Sequence, residues 1–217
     1  WNFRTNSKIA LEIIYDRYGL SEYYPLFDEY YRVYSEKNTE LWSLYHHNRI
    51  SKETLIVERF RYPLQRVGAY NDKLVLQLNA DYLSVLSEQG ELVPQARELL
   101  DYLKSRSYRL HIISNGFKEV QFKKMKSAGI ENYFEKIILS DEVGVNKPHP
   151  DIFRYALNKT GSSKNTSLMI GDNYDADILG AMRSGLDQVY FNPLQKQIPD
   201  EFPTYEVQTL SEIQDIL

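Results

Sequence analysis

The chain has 217 residues, a formal net charge of −4 and no cysteine, with 42% hydrophobic residues that include 18 tyrosines. A chain without cysteine forms neither disulfides nor thiolate metal sites, and a weakly acidic one lacks the basic stripe typical of nucleic-acid-binding proteins. No apolar run approaches membrane-spanning length and no signal peptide is visible. We therefore expect a cytoplasmic protein with no nucleic-acid or membrane partner, while composition leaves the oligomeric state open.

The first part of the chain predicts an all-helical module, with neither a strand nor a phosphate-binding loop. Gly19 is a typical C-terminal stop, Pro25 suits a first helical turn, and Ser51 and Asn71 are good N-caps. Tyrosines at helical spacing are interpreted as core residues or as half-buried surface residues whose hydroxyls reach water. The predicted helices are Asn6–Tyr18, Tyr23–Asn48, Ser51–Phe60 and one that starts after Asn71.

After Pro94 the pattern changes to alternating helices and strands, so we place a domain boundary near residues 88–93. Such alternation predicts a parallel sheet wrapped by helices. The predicted helices are Ala96–Leu103, Phe117–Ala128, Asp151–Lys159, Ala176–Ser184 and Leu210–Leu217. The predicted strands are Tyr108–Ile113, Ile137–Leu139, Leu168–Ile170 and Gln188–Phe191.

Two carboxylates follow the predicted strand Leu168–Ile170. Asp172 lies just past the strand, and Asp177 comes five residues later, where a helix is predicted to begin. The carboxyl ends of parallel strands are where open α/β sheets bind ligands, and carboxylate oxygens suit Mg²⁺. The alternative is an ordinary turn in which Asp177 only caps the helix.

Two further loops contain residues suited to phosphate. Ser114, Asn115 and Gly116 follow a strand directly, so a hydroxyl, a tight turn and free N–H groups of the next helix can hold a phosphoryl oxygen. Lys147 precedes Pro148, which favours an extended backbone from which the amine can project. Each loop alone is equally compatible with a capped turn or a solvated lysine. We expect the loss of such a lysine to reduce turnover with little effect on stability.

The order of these motifs is more specific than any one of them. Three successive predicted strands are each followed by a motif, first SNG, then KPHP and then GDNYDAD. This order resembles the haloacid dehalogenase-like hydrolase superfamily, in the subgroup with a helical cap. The stretch SDEVGVNKPHPDIFRYAL looks closest to the pyrimidine 5'-nucleotidase branch. The resemblance implies an α/β fold, a parallel Rossmann-like sheet wrapped by helices, with an inserted all-helical cap. It assigns residues 4–88 to the cap, and 1–3 and 89–217 to the core.

The resemblance also implies Mg²⁺-dependent hydrolysis of a small-molecule phosphate monoester, with a nucleoside 5'-monophosphate as one candidate. Ser114 and Lys147 would be catalytic, Asp172 would be the metal ligand, and Asn173 and Asp177 would hold the loop around it. Catalysis of this kind is mainly positioning and electrostatics. The implied phosphate-binding residues are Ser114, Asn115, Gly116 and Lys147.

The front of the chain departs from the family pattern. Members begin with a strand ending in a DxDxT-like motif, whose first Asp forms the aspartyl-phosphate, whereas Trp1 resembles a residue that follows this motif. Asp16 and Asp28 lie within helical patterns and cannot replace it. We expect a further segment of about a dozen residues before Trp1. Its strand would lie mid-sheet, between those that precede Ser114 and Asp172.

Two other functions stay open at this stage. A metal-independent haloacid dehalogenase would share the fold, although such enzymes resemble this pattern without a Gly-Asp metal ligand at the position of Asp172. A non-catalytic protein of the same fold that binds phosphate or a partner would explain the absence of the nucleophile.

Overall fold

The computed structural model describes residues 1–198 and 201–217 and confirms the predicted α/β class. The chain divides into two compact units. One is Trp1–Glu91 with Glu119–Gly129, and the other is Leu92–Lys118 with Ile130–Leu217. No helix in the described ranges combines the length and apolar character of a membrane span.

The helices are α1 (Phe3–Arg17), α2 (Phe27–His46), α3 (Lys52–Arg66), α4 (Asp72–Glu88), α5 (Ala96–Ser105), α6 (Lys118–Ser127), α7 (Ser140–Val143), α8 (Pro150–Thr160) and α9 (Gly180–Arg183). The strands are β1 (Leu110–Ser114), β2 (Phe134–Leu139), β3 (Leu168–Gly171), β4 (Asp187–Phe191) and β5 (Tyr205–Val207).

The helical unit has a core rich in aromatic residues. Tyr30, Tyr34 and Tyr82 are each 1% exposed, which confirms the interpretation of the regularly spaced tyrosines as core residues. The predicted caps form, since Ser51 Oγ accepts a hydrogen bond from the Thr54 N–H and Asn71 Oδ1 accepts one from the Leu74 N–H. Local capping and burial of one apolar face therefore agree in this unit.

Two helix boundaries in this unit were predicted wrongly. Helix α3 does not end at Phe60 but continues to Arg66 through Pro63, although proline removes one backbone donor from a helix. Burial of Phe60 and Leu64 on either side explains why the helix persists, because packing of an apolar face supplies most helical stability. Helix α2 begins at Phe27, so Pro25 precedes the helix.

The strands of the α/β unit pair in parallel in two sheets, β1–β2 and β3–β4–β5. Along β3, Met169 packs in one apolar cluster, whereas Leu168 and Ile170 pack in another. Successive side chains of a strand point to opposite faces, so apolar residues cover both faces of this sheet. The buried residues of the first cluster are Ile138, Ile152, Phe153, Ala156, Ala181 and Leu186, and those of the second are Leu99, Leu103, Val189, Val207 and Ile213.

The segment after β3 differs from the single predicted helix Ala176–Ser184. It is a π-helical turn, Tyr174–Leu179, followed by the short helix α9. The turn forms because the Asp177 and Ile178 N–H groups both donate to Asn173 O, at 2.8 and 3.4 Å. Turns of this kind often occur at functional sites.

Three shorter elements also differ from the prediction. The last helix is a 3₁₀ helix of five residues, Ser211–Asp215, and its N-cap Leu210 has no side chain that can cap it. Strand β5 and helix α7 were not predicted, because three and four residues are too few to show a periodic pattern.

Candidate active site

Lys147 connects two of the predicted loops. Its ammonium donates to Ile113 O at 2.7 Å and to Asp177 Oδ1 at 2.5 Å. Ile113 belongs to β1, directly before Ser114, and Asp177 lies in the π-helical turn after β3. A single positive charge is therefore fixed between the carboxyl end of β1 and the loop that carries Asp172.

This lysine is not the solvated residue that the sequence suggested. Lys147 is 8% exposed and Asp177 is 6% exposed, so they form a buried ion pair. Buried charges are stable only when they are paired and hydrogen-bonded. The premise of an exposed loop lysine was therefore wrong, and the buried pair predicts instead that loss of Lys147 lowers stability.

Asn115 holds the backbone of Lys147 in place. Its side-chain Oδ1 accepts a hydrogen bond from the Lys147 N–H at 2.8 Å, and its Nδ2 donates to Lys147 O at 2.9 Å. Asn115 is 6% exposed. Both hydrogen bonds of this buried carboxamide serve to position the lysine, which leaves the second N–H of Nδ2 and the backbone N–H as the groups of Asn115 that could donate to phosphate.

Ser114 ends strand β1 and is half-buried. Its Oγ accepts a hydrogen bond from the Gly116 N–H at 2.9 Å. A hydroxyl that accepts one bond still carries its own proton, which it can donate to a phosphoryl oxygen. The Gly116 N–H is already used in orienting this hydroxyl.

Asp172 follows β3 directly and its side chain is accessible to solvent. Protein surrounds the carboxyl group closely enough that burial raises its pKa above the ordinary value, and the nearby Asp177 carboxylate raises it further. Hydrogen bonding to its own backbone and the positive charges of Lys147 and Lys196 act in the opposite direction. The carboxyl group therefore lies where negative charge is only partly compensated.

The residues around Asp172 fix the shape of its loop. Asn173 is the N-cap of the π-helical turn, with its Oδ1 accepting from the Ala176 N–H, while Asp177 Oδ2 accepts from the Asn173 N–H at 3.1 Å. A Cβ at Gly171 would lie 2.6 Å from Cγ of Asp177, which explains why glycine precedes Asp172. Asp177 does not cap a helix; it pairs with Lys147.

One lysine at this edge was missed by sequence reasoning. Asn192 directly follows β4, and its carboxamide bonds to both the N–H and the C=O of Lys196. The sequence contains a signal for this loop, because strand β4 is followed by Asn192 and the turn-forming Pro193. Asn115 and Gly116 follow strand β1 in the same way.

Residues 57–191 match the family model of haloacid dehalogenase-like hydrolases. The pyrimidine 5'-nucleotidase YjjG of Escherichia coli is 31% identical over 191 residues, which are 87% of this chain and 83% of YjjG. The chain belongs to the haloacid dehalogenase-like hydrolase family. It is therefore a hydrolase, and the predicted family is confirmed.

Solved structures of the family agree with this assignment. A crystal structure of YfnB from Bacillus subtilis bound to magnesium matches with a TM-score of 0.89 at 28% identity, over 99% of this chain and 92% of that one. A dehalogenase structure matches with a TM-score of 0.75 at 22% identity, over 97% of this chain and 91% of that one. The second likeness shows a shared fold alone.

Proposed function

We propose that the protein is a Mg²⁺-dependent phosphatase that hydrolyses a small phosphate monoester, with a nucleoside 5'-monophosphate as the first substrate to test. The observation that carries this proposal is the position of Lys147, whose ammonium bonds to Ile113 O and to Asp177 Oδ1. A fixed cation beside the Ser114 hydroxyl suits a dianionic phosphoryl group. Preorganised charges of this kind are usually the largest contribution to catalysis.

In this proposal the residues of the chain act mainly by position. Ser114 donates a hydrogen bond to a phosphoryl oxygen, and Lys147 balances the negative charge of the phosphoryl group. Asn115 keeps Lys147 in place, and Asp177 keeps its ammonium oriented. Phosphoryl transfer needs little more from the protein than such positioning and electrostatic stabilisation.

The residues around Asp172 fit a magnesium ion. No group of three or more His, Asp or Glu side chains within 1–198 and 201–217 could hold a metal by itself. Magnesium commonly takes only one or two carboxylates and fills its other positions with water and substrate phosphate. An accessible carboxylate with a raised pKa, next to Asp177, is a suitable ligand, and the ion would stabilise negative charge on the phosphoryl group. The YfnB structure bound to magnesium supports the same choice.

The Asp172 carboxylate also distinguishes a phosphatase from a metal-independent dehalogenase. Metal-independent dehalogenases resemble this fold but lack the Gly-Asp metal ligand, which here is Gly171-Asp172. The likeness to a dehalogenase structure, at 22% identity, extends to the fold alone. The identity of 31% to a pyrimidine 5'-nucleotidase favours a phosphate ester as substrate.

We also propose that a strand with the nucleophilic Asp lies between β1 and β3. These two strands belong to separate sheets, and all residues of both are only half-buried, whereas Gln188, Val189 and Tyr190 of the central strand β4 are buried. An unpaired buried backbone group costs about 1–3 kcal/mol, so an added strand would stabilise both edges. Intact-mass measurement tests this: a folded, active sample of no more than 25.6 kDa, with no second chain, would refute it.

The assignment of residues 4–88 as a substrate-selecting cap and a cytosolic location belong to the same proposal. The alignment with the pyrimidine 5'-nucleotidase YjjG covers 87% of this chain, so it includes most of the helical region. Closure of a helical cap would exclude water from the reaction.

Turnover of a panel of compounds by the full-length protein tests the function. The panel contains nucleoside 5'-monophosphates, sugar phosphates and a 2-haloacid, each assayed with Mg²⁺ and with EDTA. We expect phosphate release that needs Mg²⁺ and is nearly lost in Asp172→Asn. Asp187→Asn is the matched control, because Asp187 lies exposed at the opposite end of neighbouring strand β4. Halide release without metal, or equal phosphate release in EDTA, would overturn the proposal.

A further inference from the structure

Lys196 is held at the carboxyl edge of the sheet by a buried asparagine. Asn192 comes one residue after β4 and is 2% exposed. Its Oδ1 accepts a hydrogen bond from the Lys196 N–H at 2.9 Å, and its Nδ2 donates to Lys196 O at 2.9 Å. The backbone of an otherwise exposed lysine is thereby fixed from both sides.

The same arrangement holds Lys147. Asn115 comes one residue after β1 and bonds to the N–H and C=O of Lys147 at 2.8 and 2.9 Å. In both cases a buried carboxamide just past the carboxyl end of a parallel strand bonds to the N–H and C=O of a lysine, which is 32 residues away for Asn115 and four residues away for Asn192. The same pair of hydrogen bonds from an asparagine side chain therefore fixes the backbone of two lysines at the carboxyl edge of the sheets.

The clamp on Lys196 is itself anchored to β5. The Asn192 N–H donates to Val207 O at 2.8 Å, and Asn192 Nδ2 also donates to Glu206 Oε1 at 2.7 Å. The position of the Lys196 backbone is therefore set by two strands rather than by the surface loop alone.

The two lysines differ in what their ammonium groups do. The Lys147 ammonium is buried and bonded to Asp177. Lys196 is exposed, and no carboxylate among the residues that the structure describes lies within 4.0 Å of its ammonium. The loop that carries Lys196 and the loop that carries Asp172 follow two strands that pair in parallel, β4 and β3, so both loops lie at the same edge of the sheet. A backbone fixed by Asn192 thus carries a cation that has no ion-pair partner within residues 1–198 and 201–217.

We propose that Lys196 is a second anion-binding lysine of this edge and holds a negatively charged group of the phosphate ester. This inference rests on the proposed phosphatase function. Strand β4 pairs directly with β3, at the usual spacing of about 4.8 Å. Lys196 thus lies in the loop one strand away from Asp172, at the edge where the ester would bind.

The test compares the full-length wild type with Lys196→Gln, Lys196→Arg and Lys136→Gln. Lys136 is an exposed lysine within β2, away from the strand ends, and serves as the matched control. The readouts are the Kd for inorganic phosphate by calorimetry, and KM and kcat for two esters. One is p-nitrophenyl phosphate, and the other carries an additional carboxylate.

We expect Lys196→Gln to raise KM about tenfold or more with little change in kcat, because a charge-assisted hydrogen bond is lost. Lys196→Arg should restore most of the affinity, and Lys136→Gln should match the wild type. A rise in KM for both esters, with weaker phosphate binding, identifies the transferred phosphoryl group as the ligand. A rise only for the ester with a carboxylate identifies a second anionic group. Values for Lys196→Gln equal to those for Lys136→Gln in every assay would overturn the inference.

Phosphate titration separates this inference from the proposed function, because it needs no turnover. If no ester is hydrolysed but Lys196→Gln still weakens phosphate binding, the phosphatase proposal fails and the anion site stands. If esters are hydrolysed and Lys196→Gln changes neither Kd nor KM, the anion site fails and the phosphatase proposal stands.

Discussion

Replacement of Lys147 by alanine should destabilise the α/β unit as well as reduce turnover. The substitution removes an ammonium that is 2.5 Å from Asp177 Oδ1 and 2.7 Å from Ile113 O. It leaves the Asp177 carboxylate, with its side chain 8% exposed, without a cation. Removing one partner of a buried ion pair typically costs about 3–5 kcal/mol, since the other charge remains buried and unpaired.

The loss in turnover has a different cause from the loss in stability, and the two losses are of similar size in free energy. Removal of a preorganised group that stabilises charge in a transition state costs about 2.7–4 kcal/mol. At about 1.36 kcal/mol for each factor of ten, the rate should fall roughly 100- to 1,000-fold. Urea unfolding followed by far-UV circular dichroism measures the first effect, and steady-state kinetics on the folded variant measures the second.

Lys159→Ala is the matched control for stability, because Lys159 pairs with Glu142 at 3.2 Å while both side chains are more than two-fifths exposed. Exposed pairs contribute only about 0.2–1 kcal/mol. The double variant Lys147→Ala with Asp177→Asn should recover part of the stability but none of the turnover. The contribution of the buried pair to stability would be refuted by equal losses of unfolding free energy in Lys147→Ala and Lys159→Ala. It would also be refuted if the double variant were no more stable than Lys147→Ala.

Three other changes have defined outcomes. Burial raises the pKa of Asp172, so the ionised carboxylate lowers the stability of the folded protein above that pKa and the protonated carboxyl does not. Asp172→Asn should therefore raise the Tm in EDTA at pH 7. A gain in Tm that does not become smaller at acid pH would contradict this. Gly171→Ala should lose turnover and about 1–3 kcal/mol of stability, because its Cβ would displace Asp177; wild-type kinetics would exclude that clash. Exchange of residues 4–88 for those of a relative should transfer substrate preference while Mg²⁺ dependence is kept; preference that stays with the core would reject the cap.

The fold was predictable where local signals and packing agree. Asn71 caps α4 as expected, and β3 was placed within one residue, because a short apolar run ended by Gly171 is typical of a buried strand. Helix α3 was predicted too short, because the packing that carries it past Phe60 and through Pro63 is tertiary and not visible in a local pattern. The π-helical turn was not predicted, because a periodic pattern does not reveal that the Asp177 and Ile178 N–H groups both donate to Asn173 O.

The site was predictable as a set of loops but not as a set of contacts. The order of strands and motifs indicated that Ser114, Lys147 and Asp172 belong to successive α/β units. It did not indicate that Lys147 is buried, because its partner Asp177 is 30 residues away along the chain. The clamp formed by Asn115 was missed for the same reason, because its bonds to Lys147 join two loops that meet only when β1 and β2 pair. The bonds of Asn192 to Lys196 are local, four residues apart, but they form within an irregular loop that has no periodic pattern.

The division of the chain into two units has a spectroscopic consequence. Both tryptophans, Trp1 and Trp42, belong to the helical unit, so tryptophan emission reports on that unit and not on the α/β unit. Trp1 donates its indole N–H to Gln89 O, and the Lys124 ammonium lies 4.1 Å from the centre of its ring, so unfolding of this unit should change its emission. In Lys147→Ala, a circular dichroism transition that moves to lower urea while the emission transition stays in place would show that the two units unfold independently.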